Sequence, residues 1–334
     1  MEKVAWFFDS DFEERLFSEK MTSFTSTKRT QEFEYFISLL KPNDFIYSTK
    51  KYQIEYIQFI EEFTKSEFLI TNKNKNITPW NSDYKDLDFL KKLQSKIMTL
   101  EFGKRNGFYK HEVNIVKDIK KLKDNFIYKY PYSVSGQGNY VFPKDQTVIE
   151  KLIEKHQLIE EERLERIFDF SSLIINNELI LTYQNFVDEY FQYKGTLISE
   201  EPIFSHELEL QYQTYLEKVL DYSKSYKGVM SVDGFLYTKN GQTELNPMCE
   251  INARKTMGYF TCEFKKKYFR NWKSFKLLLI RNKKTLKTRP MLENSKGGYL
   301  LISPLENIFN CFVIYGPSNK DLFEMENELL LTYF

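Results

Sequence analysis

The chain has 334 residues, too many for one small core and enough for two or three subdomains with a cleft between them. Lys and Arg total 48 against 47 Asp and Glu, a net charge of +1, so no global field draws in nucleic acid or an anionic membrane and any anionic ligand has to be held locally. Cys249, Cys262 and Cys311 have neither metal-ligand spacing nor the number for a disulfide framework, there is no apolar run of about 18 residues, and the N-terminus carries acids where a secretory signal carries bases; the expectation is an unprocessed cytoplasmic protein with no membrane partner.

In chain order, residues 1–80 alternate short apolar runs (Val4 to Phe8, Phe45 to Tyr47, Phe68 to Thr71) with helical stretches (Gln31 to Leu40, Tyr52 to Phe63), which predicts a small α/β layer. Residues 86–125 read as helical, through Leu87, Leu90, Leu93 and Ile97 and then a Lys-rich helix around Val116 to Leu122. Phe126 to Tyr130 and Tyr140 to Phe142 are strands around a Ser/Gly tip, Thr147 to His156 is a helix, and Gln157 to Ile159 is a short strand. Phe168 to Ile175 and Leu179 to Tyr183 form a hairpin across Asn176-Asn177, Ser205 to Tyr226 is a helix, and residues 229–252 are two strands joined at Asn240-Gly241. The tail, 270–334, holds helical and β-type stretches without a readable order.

Two segments carry residue types suited to chemistry. Lys129 on a strand is followed by Ser133-Val134-Ser135-Gly136-Gln137-Gly138, where small residues let backbone N–H groups approach an anion while the lysine supplies fixed charge. A plain hairpin tip beside a lysine shows the same letters. Asp233 lies opposite Glu250 and Asn252 on the facing strand, and a spacing of two puts Glu250 and Asn252 on one face. Two carboxylates and an amide oxygen suit Mg²⁺, which borrows its other ligands from nucleotide phosphates and water; polar residues on a solvated strand face are the alternative. His111, His156 and His206 are too scattered for a metal site and read as surface or capping residues. Cys249, next to Glu250 on a strand, is expected to face away from it.

Together these segments resemble the ATP-grasp superfamily: a lysine-bearing strand, a glycine-rich phosphate loop, an adenine hinge, and a Mg²⁺ set from an Asp and a Glu-x-Asn. The string Glu250-Ile251-Asn252-Ala253-Arg254-Lys255-Thr256-Met257-Gly258 is similar to an EINxRxTMG-type subset, in which a Pro-Trp segment, here Thr78-Pro79-Trp80, precedes the grasp region. The resemblance covers roughly residues 75–260. It implies an α/β (α+β) ATP-grasp fold with an N-terminal pre-ATP-grasp α/β domain (1–85), a lid subdomain with the phosphate loop (86–160), and a C-terminal subdomain with the metal site (161–334), antiparallel sheets flanking a nucleotide cleft.

The resemblance further implies that ATP is held by Lys96, Lys129, Ser133, Ser135, Gly136, Gln137 and Gly138, with Glu161, Glu162 and Leu164 at the adenine hinge and Asp169 on the ribose side. It implies that Asp233, Glu250 and Asn252 hold Mg²⁺ or Mn²⁺. Arg254 is the expected clamp for a carboxylate or acyl phosphate, and with Lys129 makes up the catalytic set. The implied activity is an ATP-dependent carbon–nitrogen ligase joining a small-molecule or peptide carboxylate to an amine, with no nucleic-acid partner; a homodimer is one assembly compatible with it, and the sequence leaves the oligomeric state open. A phosphotransferase or a non-catalytic nucleotide-binding protein on the same fold are the alternatives. Ser231 stands where some ligases of the superfamily carry an arginine.

Overall fold

The structure is a computed structural model that describes residues 3–18, 27–73, 76–81, 86–131, 138–189, 191–282 and 286–334. Near the N-terminus, β1 (Ala5–Phe7), β2 (Phe45–Tyr47), β3 (Ile70–Thr71) and β4 (Ile77–Pro79) pair in parallel in the order β3-β2-β1-β4. Parallel pairing needs helical crossovers, supplied by α1 (Phe12–Ser18), α2 (Lys28–Phe33), α3 (Tyr35–Leu40) and α4 (Ile54–Thr64). Two more helices come next, α5 (Leu87–Gln94) and α6 (Lys96–Arg105). Ser95 is the N-cap of α6, its hydroxyl accepting from the Met98 N–H, and so fixes Lys96 as the first helical residue.

A second sheet is antiparallel, in the order β5-β8-β6-β7, with β5 (Val113–Val116), β6 (Phe126–Lys129), β7 (Asn139–Val141) and β8 (Leu158–Glu162), backed by α7 (Gln146–Ile153). The expected Lys-rich helix around Val116 to Leu122 is therefore corrected: Val116 ends a strand, and beyond it lies a single 3-10 turn, Ile119–Lys121, nucleated by Asp118. Val116 and Leu122 pack in the core of this sheet from the strand end and the connection, Ile119 between them is exposed, and such a short stretch cannot hold a helix by propensity alone.

The third sheet has nine strands, in the order β13-β12-β9-β10-β11-β14-β17-β16-β15. It is built from β9 (Glu165–Ile175), β10 (Glu178–Val187), β11 (Tyr193–Ser199), β12 (Val229–Lys239), β13 (Gln242–Asn252), β14 (Ser274–Arg281), β15 (Met291–Asn294), β16 (Gly297–Leu301) and β17 (Phe309–Gly316). Both expected hairpins form. Asn176 and Asn177 take φ of 52° and 71°, and Asn240 and Gly241 take 52° and 75°, the left-handed pair that a two-residue turn needs to match strand twist.

Helices cover both faces of this sheet, so β14 reads as an almost unbroken apolar run rather than an alternation. Phe275, Leu277 and Leu279 face α9 (Met257–Tyr268) and the N-terminal layer, while Leu278 faces α10 (Asn319–Tyr333). On the β9, β12 and β13 side the cover is α1, α5, α6 and α8 (His206–Tyr222), through Phe170, Met230, Val232, Tyr212 and Leu216. Aromatic stacking welds the N-terminal layer to the sheet: Phe36 and Phe260 lie 3.7 Å apart between ring centroids, in a cluster where each buried ring contributes about 1.5–3 kcal/mol.

Candidate active site

The strands that bear the candidate residues are distorted where those residues sit. Asp233 pairs with Glu250, but Phe235 pairs with Asn246, so β13 carries extra residues around Pro247. Proline has no ladder N–H and is accommodated by such a bulge. The bulge also breaks the side-chain alternation. Cys249 therefore lines the same cavity as Glu250, with its Sγ 3.1 Å from the Asp233 carbonyl, contrary to the expectation that it faces away.

Beyond the bulge, Asn252 Nδ2 donates to Asp233 Oδ2 at 2.8 Å and reaches Glu250 Oε1 at 3.5 Å, while Ser171 Oγ donates to Asp233 Oδ1 at 2.6 Å. Lys96 Nζ sits 3.1 Å from Glu250 Oε2. Burial, and then the neighbouring Glu250, push the Asp233 carboxyl up to about 7. Burial acts the same way on Glu250, but Lys96, together with Lys129 and Arg254, outweighs it and holds that carboxyl low. Two facing carboxylates with an amide between them form a hard-oxygen set short of positive charge, which fits a divalent cation. Among the described residues no group of three His, Cys, Asp or Glu side chains forms a metal site, so an ion here rests on these two acids and Asn252.

The signature string continues as the wall of the cavity. Arg254 is ion-paired with Glu13 of α1, its Nη2 donating to Oε2 at 3.2 Å and its Nε lying 2.9 Å from Oε1. Lys255 Nζ donates to the Trp80 carbonyl at 2.7 Å and lies over the Trp80 ring at 4.8 Å. The Pro-Trp segment thereby anchors the string on the N-terminal layer. Thr256 caps α9, accepting from the Tyr259 N–H. A Cβ on Gly258 would stand 2.0 Å from the buried Tyr183 hydroxyl. Gly258→Ala is thus expected to destabilise the protein by about 1–3 kcal/mol and to displace the α9 start with Arg254, read as a lowered urea midpoint; an unchanged midpoint would rule out this close fit.

Lys129 Nζ is ion-paired with Glu161 Oε2, and His111 Nε2 lies 3.1 Å from the other oxygen. His111 is fully buried as a side chain, a correction to its expected surface place. Burial alone would raise the Glu161 carboxyl; Lys129 and the His111 contact outweigh it and hold the group well below the usual carboxylate range. Asp169 is bonded to Arg166 at 2.6 Å.

Lys96, Lys129, Asp169, Asp233, Glu250, Asn252 and Arg254 line one cavity. Glu161 lies behind Lys129 in a small adjoining one. Glu162, on the other face of β8, pairs with Lys239 at 3.1 Å, and neither it nor Leu164 lines the cavity. Gly138 has φ of 87° and its carbonyl accepts from the Tyr130 N–H, whereas Ser133, Ser135, Gly136 and Gln137 lie outside the described residues. Sequence reasoning missed Arg166, Tyr183, Asn185, Phe191 and Tyr193, which also line the cavity, and Glu13, which holds Arg254.

No protein-family model matches the chain, and no curated protein matches its sequence. Solved structures do match. An N5-carboxyaminoimidazole synthetase from Staphylococcus aureus, complexed with ADP, is 14% identical over 99% of this chain and 90% of its own, with a TM-score of 0.54. The biotin carboxylase domain of the Hydrogenobacter thermophilus 2-oxoglutarate carboxylase, in complex with MgADP, ADP and bicarbonate, is 11% identical over 100% of this chain and 85% of its own, TM-score 0.58. An L-amino acid ligase from Bacillus licheniformis is 10% identical over 91% of this chain and 95% of its own, TM-score 0.57. At these identities the likeness is one of fold, and the fold of this chain is the ATP-grasp fold.

Proposed function

We propose that this chain is an ATP- and Mg²⁺-dependent ligase that activates a carboxylate as an acyl phosphate and joins it to an amine. The observation that supports it is the convergence, in one cavity, of two acids with an amide (Asp233, Glu250, Asn252), two lysines from different elements (Lys96, Lys129) and a half-buried arginine fork (Arg254). The folds it shares belong to proteins described with ADP, with MgADP and bicarbonate, and as an amino acid ligase.

Lys96 and Lys129 receive the polyphosphate, each leaving the carboxylate that holds it, Glu250 and Glu161 respectively. Asp233, Glu250 and Asn252 Oδ1 would hold Mg²⁺, which when bound withdraws charge from the phosphates. Arg254 takes the carboxylate substrate in its fork, in competition with Glu13. The substrate oxygen attacks the γ-phosphorus and ADP leaves; the amine then attacks the acyl carbon and phosphate leaves. No side-chain nucleophile takes part. The assignment of 86–160 as lid and 161–334 as metal-bearing subdomain is part of this proposal.

Thermal unfolding with and without MgATP tests the reading, because a ligand bound only by the folded state stabilises it according to occupancy. Wild type is expected to gain several degrees at 100-fold over Kd, equivalent to about 2.7 kcal/mol, and Glu250→Ala to gain none. A wild type indifferent to MgATP would end the nucleotide reading, whereas a Glu250→Ala variant that responds fully would remove Glu250 from it.

A further inference from the structure

Among the described residues, seven that are not glycine have positive φ, and six of them are Asn or Lys. The seventh is Phe191, at φ 60°, in the connection between β10 and β11. A bulky aromatic side chain is disfavoured in left-handed backbone and stays there only when its surroundings impose it. Those surroundings are visible. The Phe191 N–H donates to the Asp188 carbonyl at 2.9 Å, the Asp188 N–H to the Gln192 carbonyl at 3.0 Å, the Gln192 N–H to Asp188 Oδ1 at 2.9 Å, and Lys194 Nζ holds Asp188 Oδ2 at 2.8 Å.

The strained turn lays the Phe191 ring on Arg166, whose guanidinium carbon is 4.7 Å from that ring centroid and 3.9 Å from the centroid of Phe235. Arg166 lines the active-site cavity, as does Phe191, and its fork gives one bond, Nη1 to Asp169 Oδ1 at 2.6 Å. Two aromatic faces fix the plane of a guanidinium without using its N–H donors. An asparagine or glycine would close this turn without strain; what the phenylalanine adds is the plate.

Arg166 also stands at a definite end of the cavity. It is the second residue of β9, reached directly from β8, and it contributes to holding the Glu161 carboxyl low, just as Lys129 acts on Asp169. Lys129 and Arg166 thus share one end, while Arg254 is tied to α1 through Glu13.

We propose that Arg166 is a third cationic contact for the nucleotide polyphosphate, beside Lys96 and Lys129, and that Phe191 is a positioning residue whose strained backbone keeps the guanidinium plane set for it. This inference rests on the nucleotide reading above.

Isothermal titration with MgATP and with AMP, alongside melting temperature, tests it on wild type, Phe191→Gly, Phe191→Tyr and Arg166→Gln. Phe191→Gly relieves the backbone and is expected to melt no lower than wild type, yet to bind MgATP about 10-fold more weakly, with AMP changed less than about 2-fold; Phe191→Tyr restores the plate and the affinity. Arg166→Gln is expected to lose at least as much for MgATP and again little for AMP. Equal losses for ATP and AMP would move Arg166 to the base or sugar and overturn the proposal, as would unchanged MgATP affinity in both Phe191→Gly and Arg166→Gln. A wild type that binds no MgATP fails at the earlier step, and the inference falls with it; a wild type that binds, with variants that bind equally well, sinks the inference alone.

Discussion

Asp233→Asn is expected to raise the stability of the protein while lowering ADP release, in a mixture of carboxylic acids and amines, by about 100- to 1000-fold. The two effects have one origin. The Asp233 carboxyl is half-buried and faces Glu250, and the loss of water and the facing charge push it up to about 7 from an ordinary value of 3.8. A carboxyl whose folded value is raised contributes stability that is present below its unfolded value and lost as pH rises through the folded one. For this group the window runs from about 4 up to about 7.

Asparagine has the same shape, keeps an oxygen for the Ser171 hydroxyl, and lets Asn252 turn its amide over to accept rather than donate. It removes the charge without opening a cavity. Urea denaturation in EDTA should therefore show the variant gaining on wild type between pH 4 and 7 and exceeding it by about 1–3 kcal/mol at pH 8. The same charge is what a divalent cation needs, so the gain in stability and the loss of turnover go together, as at other sites where function is kept at the expense of stability. A variant less stable than wild type at pH 8, or one with full turnover, would contradict this account of the site.

The hairpin that brings Asp233 to Glu250 and Asn252 was legible because its signals are local: an Asn-Gly turn, a spacing of two, and a Glu-x-Asn string. The Asn-Asn hairpin was legible for the same reason. Cys249 was misplaced although Asn246-Pro247 inside a strand is itself a bulge signal, and a bulge cancels the alternation on which the expectation rested. β5 was hidden because Val113–Val116 runs straight into a lysine-rich stretch, and β11 because Lys194, Gly195 and Thr196 leave it only the short apolar pair Leu197-Ile198. That glycine answers to a neighbour rather than to local propensity: a Cβ there would meet the Leu277 carbonyl oxygen at 2.3 Å. Glu13 lies 241 residues from Arg254, and His111 lies 50 from Glu161. No period or motif links such pairs, since only the packing of whole layers brings them together.

Lys129→Met is expected to cost about 3–5 kcal/mol of stability, and the double variant Lys129→Met/Glu161→Leu to recover most of it without recovering nucleotide binding. Glu161 is 4% exposed and sits in a layer with Ile159, Val113 and Tyr109 around it. Removing its ammonium partner leaves a buried carboxylate in contact with the His111 ring and answered otherwise from a distance by Arg166. Removing both charges leaves an apolar pair beside Ile159, Val113 and Tyr109 at the loss of the single His111 contact, and replacing a buried ion pair in this way is often neutral or stabilising.

Acid gives an independent reading of the same pair. The wild-type Glu161 carboxyl, lowered by Lys129 and His111 against the effect of burial, contributes stability that is present above its ordinary value of 4.5 and is lost as pH falls towards its depressed one. The double variant lacks that group and should lose less stability than wild type between pH 5 and 3. Titration at pH 7.5 should nevertheless show MgATP bound about 10- to 100-fold more weakly by the double variant, the loss expected for one charge-assisted contact. A double variant as unstable as Lys129→Met would place the damage outside the ion pair. One that binds MgATP as wild type does would take Lys129 away from the phosphates and leave it a structural counter-ion of Glu161.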